Sequence, residues 1–279
     1  MSIQVMRIFK ESFKNVWEHR LEWVKIAFTP VVIFLAGALI MLVSYWSAGQ
    51  PLWSLDVLTQ QVEAQISEEN ALPIAFGNIV YYIAQLIAMI SLYISGFRYA
   101  VLNEGGDRWW TLNFNKRFVK MLLYYILIVL LFVAYTGIAA GITLGLHFGL
   151  ENTTLTAIVG TLLALYGIYL FVRLSLTFLL IAIDHDVPLR TSWRLLKRNV
   201  LRLIGLMLLI SLAFLAIIAI TFLILGIVTW ILSLVSPWLF GVGLFLMALA
   251  GLVLWLFSFG VILKSLALVY KSFTEGTAF

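Results

Sequence analysis

Apolar residues recur along this chain in six long runs, at roughly 26–46, 73–97, 119–147, 154–183, 203–235 and 238–263, with short polar connections between them. Each run supplies the roughly 20 residues that a helix needs to cross a bilayer. Outer-membrane strands would instead show segments of about ten residues alternating with period two, and that alternation is missing. The pattern predicts an all-α integral membrane protein with six transmembrane helices.

Composition agrees. Of 279 residues, 63% are hydrophobic and 11% charged, against about 45–50% and about 25% in soluble domains. The whole of 1–279 reads as a single membrane domain. There is no cysteine, which excludes disulfides, thiolate metal sites and cysteine nucleophiles. The first apolar run is longer than a signal-peptide core and no A-x-A site follows it, so it is expected to persist as a span.

Basic residues close to a span are retained on the cytoplasmic side, and here all 18 Lys and Arg fall on one side of the predicted layout. Arg7, Lys10, Lys14, Arg20 and Lys25 precede the first run; Arg98, Arg108, Lys116, Arg117 and Lys120 surround the second-to-third connection. Arg173, Arg190, Arg194, Lys197, Arg198 and Arg202 surround the fourth-to-fifth, and Lys264 and Lys271 close the sixth. The opposite connections carry Asp56, Glu63, Glu68, Glu69 and Glu151 and no basic residue. Both termini are therefore expected in the cytoplasm. The net charge of +5 then describes a face apposed to anionic lipid headgroups. It does not point to nucleic acid, because the basic residues hug the spans instead of forming a separate basic domain with stacking aromatics.

Three cytoplasmic segments look alike: "FKESFKNVWEHRLEWVKIA", "WWTLNFNKRFVKMLLYY" and "LRTSWRLLKRNVLRLIGLM". Each is basic, aromatic and amphipathic, as a helix lying in the membrane interface would be. In the third, Arg190, Arg194, Lys197, Arg198 and Arg202 form a membrane-surface face opposite Trp193, Leu196, Val200 and Leu203. Each segment precedes an outgoing and a returning span, so the chain reads as three hairpins, each led by an interfacial helix, in a threefold pseudo-repeat of 1–100, 107–185 and 188–273. Common ancestry of three copies and the shared demands of basic connections both produce such a pattern. The outer segment 47–72 is expected to carry a short surface helix with Val57, Leu58, Val62 and Ile66 on one side, its acidity serving solvation.

Catalytic chemistry is not written in motifs. H-E-x-x-H, G-x-S-x-G, the phosphate-cradling loop and the dinucleotide fingerprint are all missing, so the chain leans away from an enzyme, with no cofactor and no metal expected. His147 and Glu151, one turn apart, offer two ligands where a catalytic zinc takes three protein ligands. The adjacent side chains of Asp184, His185 and Asp186 cannot all point one way and read as the polar end of a span. Gly137, Gly141, Gly145 and Gly149 recur every four residues and clear one stripe of a helix for close approach of another backbone, within the chain, in a homo-oligomer or against a protein partner.

The returning spans each hold a cation: Arg98, Arg173 and Lys264. Counting from Asp184 at a cytoplasmic boundary, Arg173 lies eleven residues inward, about 16 Å along a continuous helix. No Asp or Glu occurs in the six apolar cores, and an unpaired intramembrane charge costs about 2.5–3.5 kcal/mol. Backbone carbonyls, hydroxyls such as those of Tyr99, Ser175 or Thr177, cavity water or an anionic ligand would each satisfy it; so would a lower seat of the fourth helix that lets Arg173 snorkel to the headgroups.

At "SGFRYAVLNEGG" and "RLSLTFLLIAIDHDVPLRTSWRLLKRNVLRLIG" the sequence resembles a diffuse group of bacterial six-span inner-membrane proteins, including the membrane domains attached to some glycerophosphoryl diester phosphodiesterases. The resemblance covers mainly residues 95–205. It implies a bacterial cytoplasmic (inner) membrane and lipid association. The hydrolytic domain of the phosphodiesterases is missing here, so their activity does not carry over. The expected function is binding of an anionic lipid or small anion in a cationic pocket of Arg98, Arg173 and Lys264, in a permease-like or envelope-homeostasis role. The alternatives are a membrane scaffold for a protein partner and an enzyme acting on lipid headgroups.

Overall fold

In the computed structural model, residues 3–48, 68–110, 114–150 and 152–274 are described. Among them every regular element is helical: α1 Val5–Glu18, α2 Arg20–Ser47, α3 Glu68–Leu102, α4 Lys116–Leu150, α5 Thr153–Leu174, α6 Thr177–Ala182, α7 Pro188–Leu196, α8 Val200–Val235 and α9 Pro237–Thr274. Six helices are long and apolar enough to span a membrane, the fourth combining α5 and α6 across a break. The chain is thus a multi-pass membrane protein by length and composition. The surface helix expected within 47–72 lies outside the described residues apart from its two ends, and Glu151 lies outside them too.

Helix boundaries follow local chemistry. Asn115 starts α4 at Lys116, its side-chain oxygen accepting from the backbone of Arg117 at 3.1 Å and Phe118 at 3.2 Å, the usual service of an N-cap asparagine. From there "KRFVKMLLYYIL" runs straight into the span, without a break residue. The second of the three similar segments therefore has no separate short helix ahead of its span among the described residues, whereas α1 and α7 are separate helices. Pro188 opens α7 at a position where no N–H is needed.

Neighbouring long helices pack as pairs, α2 with α3, α4 with α5 and α8 with α9. Glycines set some of the close approaches within pairs: a Cβ on Gly37 of α2 would come 2.5 Å from the Ala84 Cβ, and one on Gly243 of α9 would come 2.5 Å from the Thr229 hydroxyl. Contacts between pairs concentrate at one end of the bundle. There Ile94 and Phe97 of α3, Met121 of α4, Leu179 of α6, Leu206 of α8 and Leu263 of α9 are fully buried with the apolar side of α1. Tyr93 of α3 stacks on Phe178 of α6 and meets Phe259 of α9 at 5.1 Å between ring centroids, so three pairs share one aromatic centre. At the other end large apolar side chains such as Phe148, Leu223 and Phe245 are exposed. A bilayer covers such surface at no hydrophobic cost.

Candidate functional site

The fourth crossing is interrupted beside Arg173. Ser175 supplies both its N–H (3.2 Å) and its hydroxyl (2.8 Å) to the Val172 carbonyl, a local bond of the kind by which serine competes with continued helix. α5 alone has 22 residues, about 33 Å of helix, which matches the roughly 30 Å of a hydrocarbon core. Arg173 thus stands in the last turn of α5, ahead of the break within the fourth crossing. The residues from Arg173 to Asp184 are not one continuous helix: α5 ends at Leu174 and α6 begins at Thr177.

Arg173 is 6% exposed and is satisfied by protein. One guanidinium nitrogen donates to the Trp193 carbonyl at 2.9 Å and another to the Tyr169 hydroxyl at 3.0 Å. Its Cζ sits 3.6 Å from the Trp193 ring centroid and 5.4 Å from that of Tyr169. Trp193 belongs to the last turn of α7, where four carbonyls lack intrahelical partners. In return the Ser192 hydroxyl donates to the Arg173 carbonyl at 2.7 Å, in the last turn of α5. The two helix ends cap each other. Hydrogen bonds to a charged group contribute about 1.5–3 kcal/mol each and a desolvated cation–π contact about 2 kcal/mol, enough to offset the insertion cost without any ligand. Of the three side-chain nitrogens of Arg173, Nε is buried without a partner among the described residues.

Arg98 and Lys264 meet different groups. Arg98 donates to the Ala182 carbonyl at 3.1 Å, approaches the Asp184 carboxylate at 3.5 Å and pairs with Glu104. Lys264 donates to the Ala100 carbonyl at 3.3 Å. Arg98, Arg173 and Lys264 therefore share no acceptor, and Arg98 has two acidic partners. Both carboxylates come from the connections beyond the helix ends, outside the apolar cores searched for them in the sequence.

Asp184 is the centre of that network. It follows α6 at a positive φ of 62°; its N–H bonds to the Ile181 carbonyl and the next N–H bonds to that of Leu180, the Schellman arrangement that usually takes glycine. Arg117 donates its Nε to both carboxylate oxygens, at 2.6 and 2.9 Å, and Lys120 reaches the His185 carbonyl at 2.9 Å. The Arg117 hydrogen bond, then the charges of Arg117, Arg98 and Lys120, hold the Asp184 carboxyl below its ordinary range against a smaller desolvation effect. Ends of α3, α4 and α6 are thereby tied together. The signal in the sequence was a carboxylate standing among cations in a basic connection.

The residues expected at the membrane surface behave differently. Beside the end of α5, the junction of α7 and α8 forms a groove of about 590 Å³ lined by Tyr169, Lys197, Arg198, Leu201 and Arg202 among others. The side chains of Lys197, Arg198 and Arg202 make no ion pair or hydrogen bond among the described residues. Nor do the side chains of Arg190 and Arg194.

A Cβ built on Gly137, Gly141, Gly145 or Gly149 of α4 meets nothing within 4 Å. The close approach between α4 and α5 is made instead by Gly160 and Gly167 of α5, against Thr143 and Tyr135, and the Tyr135 hydroxyl donates to the Leu163 carbonyl. The α4 stripe is open as far as the described residues go. No group of three His, Asp or Glu among them is placed to hold a metal ion. No protein-family profile matches the chain, and no curated protein or solved structure matches it significantly.

Proposed function

We propose that this chain is a multi-pass protein of a bacterial cytoplasmic membrane, with both termini in the cytoplasm, that binds anionic lipid at its cytoplasmic face in an envelope-homeostasis or permease-like role. In this reading the three helix pairs are membrane hairpins and α1 and α7 lie in the interface. The placement rests on the one-sided distribution of Lys and Arg and on the resemblance to bacterial six-span proteins. The observation that carries the binding is the set of five cations on α7 and its junction with α8, Arg190, Arg194, Lys197, Arg198 and Arg202, none paired among the described residues. Each such cation contributes about 1 kcal/mol near an anionic surface.

Thermal unfolding in neutral detergent tests it. Added phosphatidylglycerol raises the melting temperature, phosphatidylcholine at the same concentration does not, and the difference shrinks with salt. Equal shifts from the two lipids would overturn the proposal. The open glycine face of α4 favours a second reading, a membrane scaffold whose partner packs on α4; crosslinking in native membranes that recovers only monomer counts against it.

A further inference from the structure

We infer that the groove at the α7–α8 junction is a specific site for the phosphate of a phospholipid headgroup, with Lys197, Arg198, Arg202 and the Tyr169 hydroxyl as its donors. This rests on the anionic-lipid reading above and assigns that binding to one place.

Charge gives the first reason. At this end of the molecule Arg98 is matched by Glu104 and Asp184, Arg117 by Asp184 and Lys14 by Glu18, while Arg7, Lys10, Arg190 and Arg194 make no ion pair among the described residues. In the groove three cations lie within six residues of chain and none is matched among the described residues. Like charges held this close repel, and a bridging anion with several oxygens relieves all three at once, with the Arg side chains able to bind phosphate in bidentate fashion. At about 590 Å³ the groove is within the size range of small-molecule sites.

Tyr169 gives the second. Its oxygen already accepts from Arg173 at 3.0 Å, so its own proton is available to another acceptor. Tyr169 lines the groove, and Arg173 becomes a positioning residue that fixes the ring by hydrogen bond and by a cation–π contact at 5.4 Å. The conspicuous arginine of the sequence thus acts through its neighbour.

The apolar part of the lining selects lipid over free phosphate. Leu201 is 82% exposed between Val200 and Arg202 and continues the groove toward the apolar flank of α8. A phospholipid offers an anion and a hydrocarbon chain side by side, whereas inorganic phosphate makes no use of Leu201.

The test titrates detergent-purified, full-length protein with short-chain phosphatidylglycerol, short-chain phosphatidylcholine and inorganic phosphate, read by thermophoresis. The variant Lys197→Ala/Arg198→Ala/Arg202→Ala is compared with Arg7→Ala/Lys10→Ala/Lys14→Ala on α1, which removes the same charge. The groove variant weakens phosphatidylglycerol binding on the order of tenfold or more, as loss of one or more charge-assisted bonds would, and the α1 variant leaves it within about twofold of wild type. Arg198→Gln alone and Tyr169→Phe give intermediate losses, so the site remains testable if the triple variant folds poorly. Equal weakening by the two triple variants would overturn the groove and leave general anionic-lipid binding intact. Inorganic phosphate binding as tightly as phosphatidylglycerol would overturn the lipid as ligand. A wild-type protein that does not distinguish phosphatidylglycerol from phosphatidylcholine would overturn both this inference and the reading beneath it.

Discussion

Removing the Arg173 guanidinium strips the Trp193 carbonyl and the Tyr169 hydroxyl of their donor and uncovers the face of the Trp193 ring. Arg173→Ala is expected to lower unfolding free energy by about 2–4 kcal/mol in a denaturant titration. Arg173→Lys recovers only part, because an ammonium cannot fork between two acceptors and stack on a ring. Ser192→Ala costs about 1–3 kcal/mol by leaving the Arg173 carbonyl unpaired in a buried site, and the double variant costs less than the sum if the two helix ends cap each other. Asp184 makes a pH prediction. Its folded pKa lies below the ordinary 3.8, so its contribution is fully present above that value and is lost as pH falls through the lower folded value. Asp184→Asn, which tolerates the positive φ, removes that acid-dependent loss and weakens the tie at every pH above it. Arg173 was legible in the sequence as an exception. Its partners were not, because the break after it is made by Ser175 and Leu176, with neither proline nor glycine to announce it.

At the level of elements, glycine separates two kinds of helix face. Gly37→Leu and Gly243→Leu drive a side chain into a neighbour already at 2.5 Å from the missing Cβ, and each is expected to destabilise by about 1–3 kcal/mol or more. Gly141→Leu fills open space and leaves the thermal stability of the isolated chain unchanged; any effect it has on crosslinking in membranes reports a partner on α4. The stripe of four glycines was the more visible pattern in the sequence, yet the packing between α4 and α5 falls to Gly160 and Gly167. Spacing records that backbone approach is possible on a face and says nothing of which face is used. The middle amphipathic segment shows a related point: aromatic and basic composition does not distinguish a separate interfacial helix from the first turns of a span, and among the described residues Asn115 caps a helix that starts at Lys116 and runs into the span.

Across the whole molecule, hydropathy alone was sufficient to find six spans, because about 20 apolar residues in a row have few other physical uses. How the pairs meet was not legible, since the inter-pair contacts are ordinary leucines, isoleucines and aromatics at one end of long apolar helices. α8 and α9, at 36 and 38 residues, run to about 54 and 57 Å and exceed the hydrocarbon thickness, so the packed basic end is expected to sit in and below the inner headgroup layer. The lack of native cysteine makes this easy to check. A single cysteine at Lys197 is expected to react with a membrane-impermeant maleimide only in inside-out vesicles, and one at Glu151 only in right-side-out vesicles. The most direct measurement is native mass spectrometry of the protein equilibrated with equimolar phosphatidylglycerol and phosphatidylethanolamine. Retention of phosphatidylglycerol well above its share, reduced in the Lys197→Ala/Arg198→Ala/Arg202→Ala variant, is the expected result; retention of both lipids in proportion to the mixture would contradict anionic-lipid binding at the basic end.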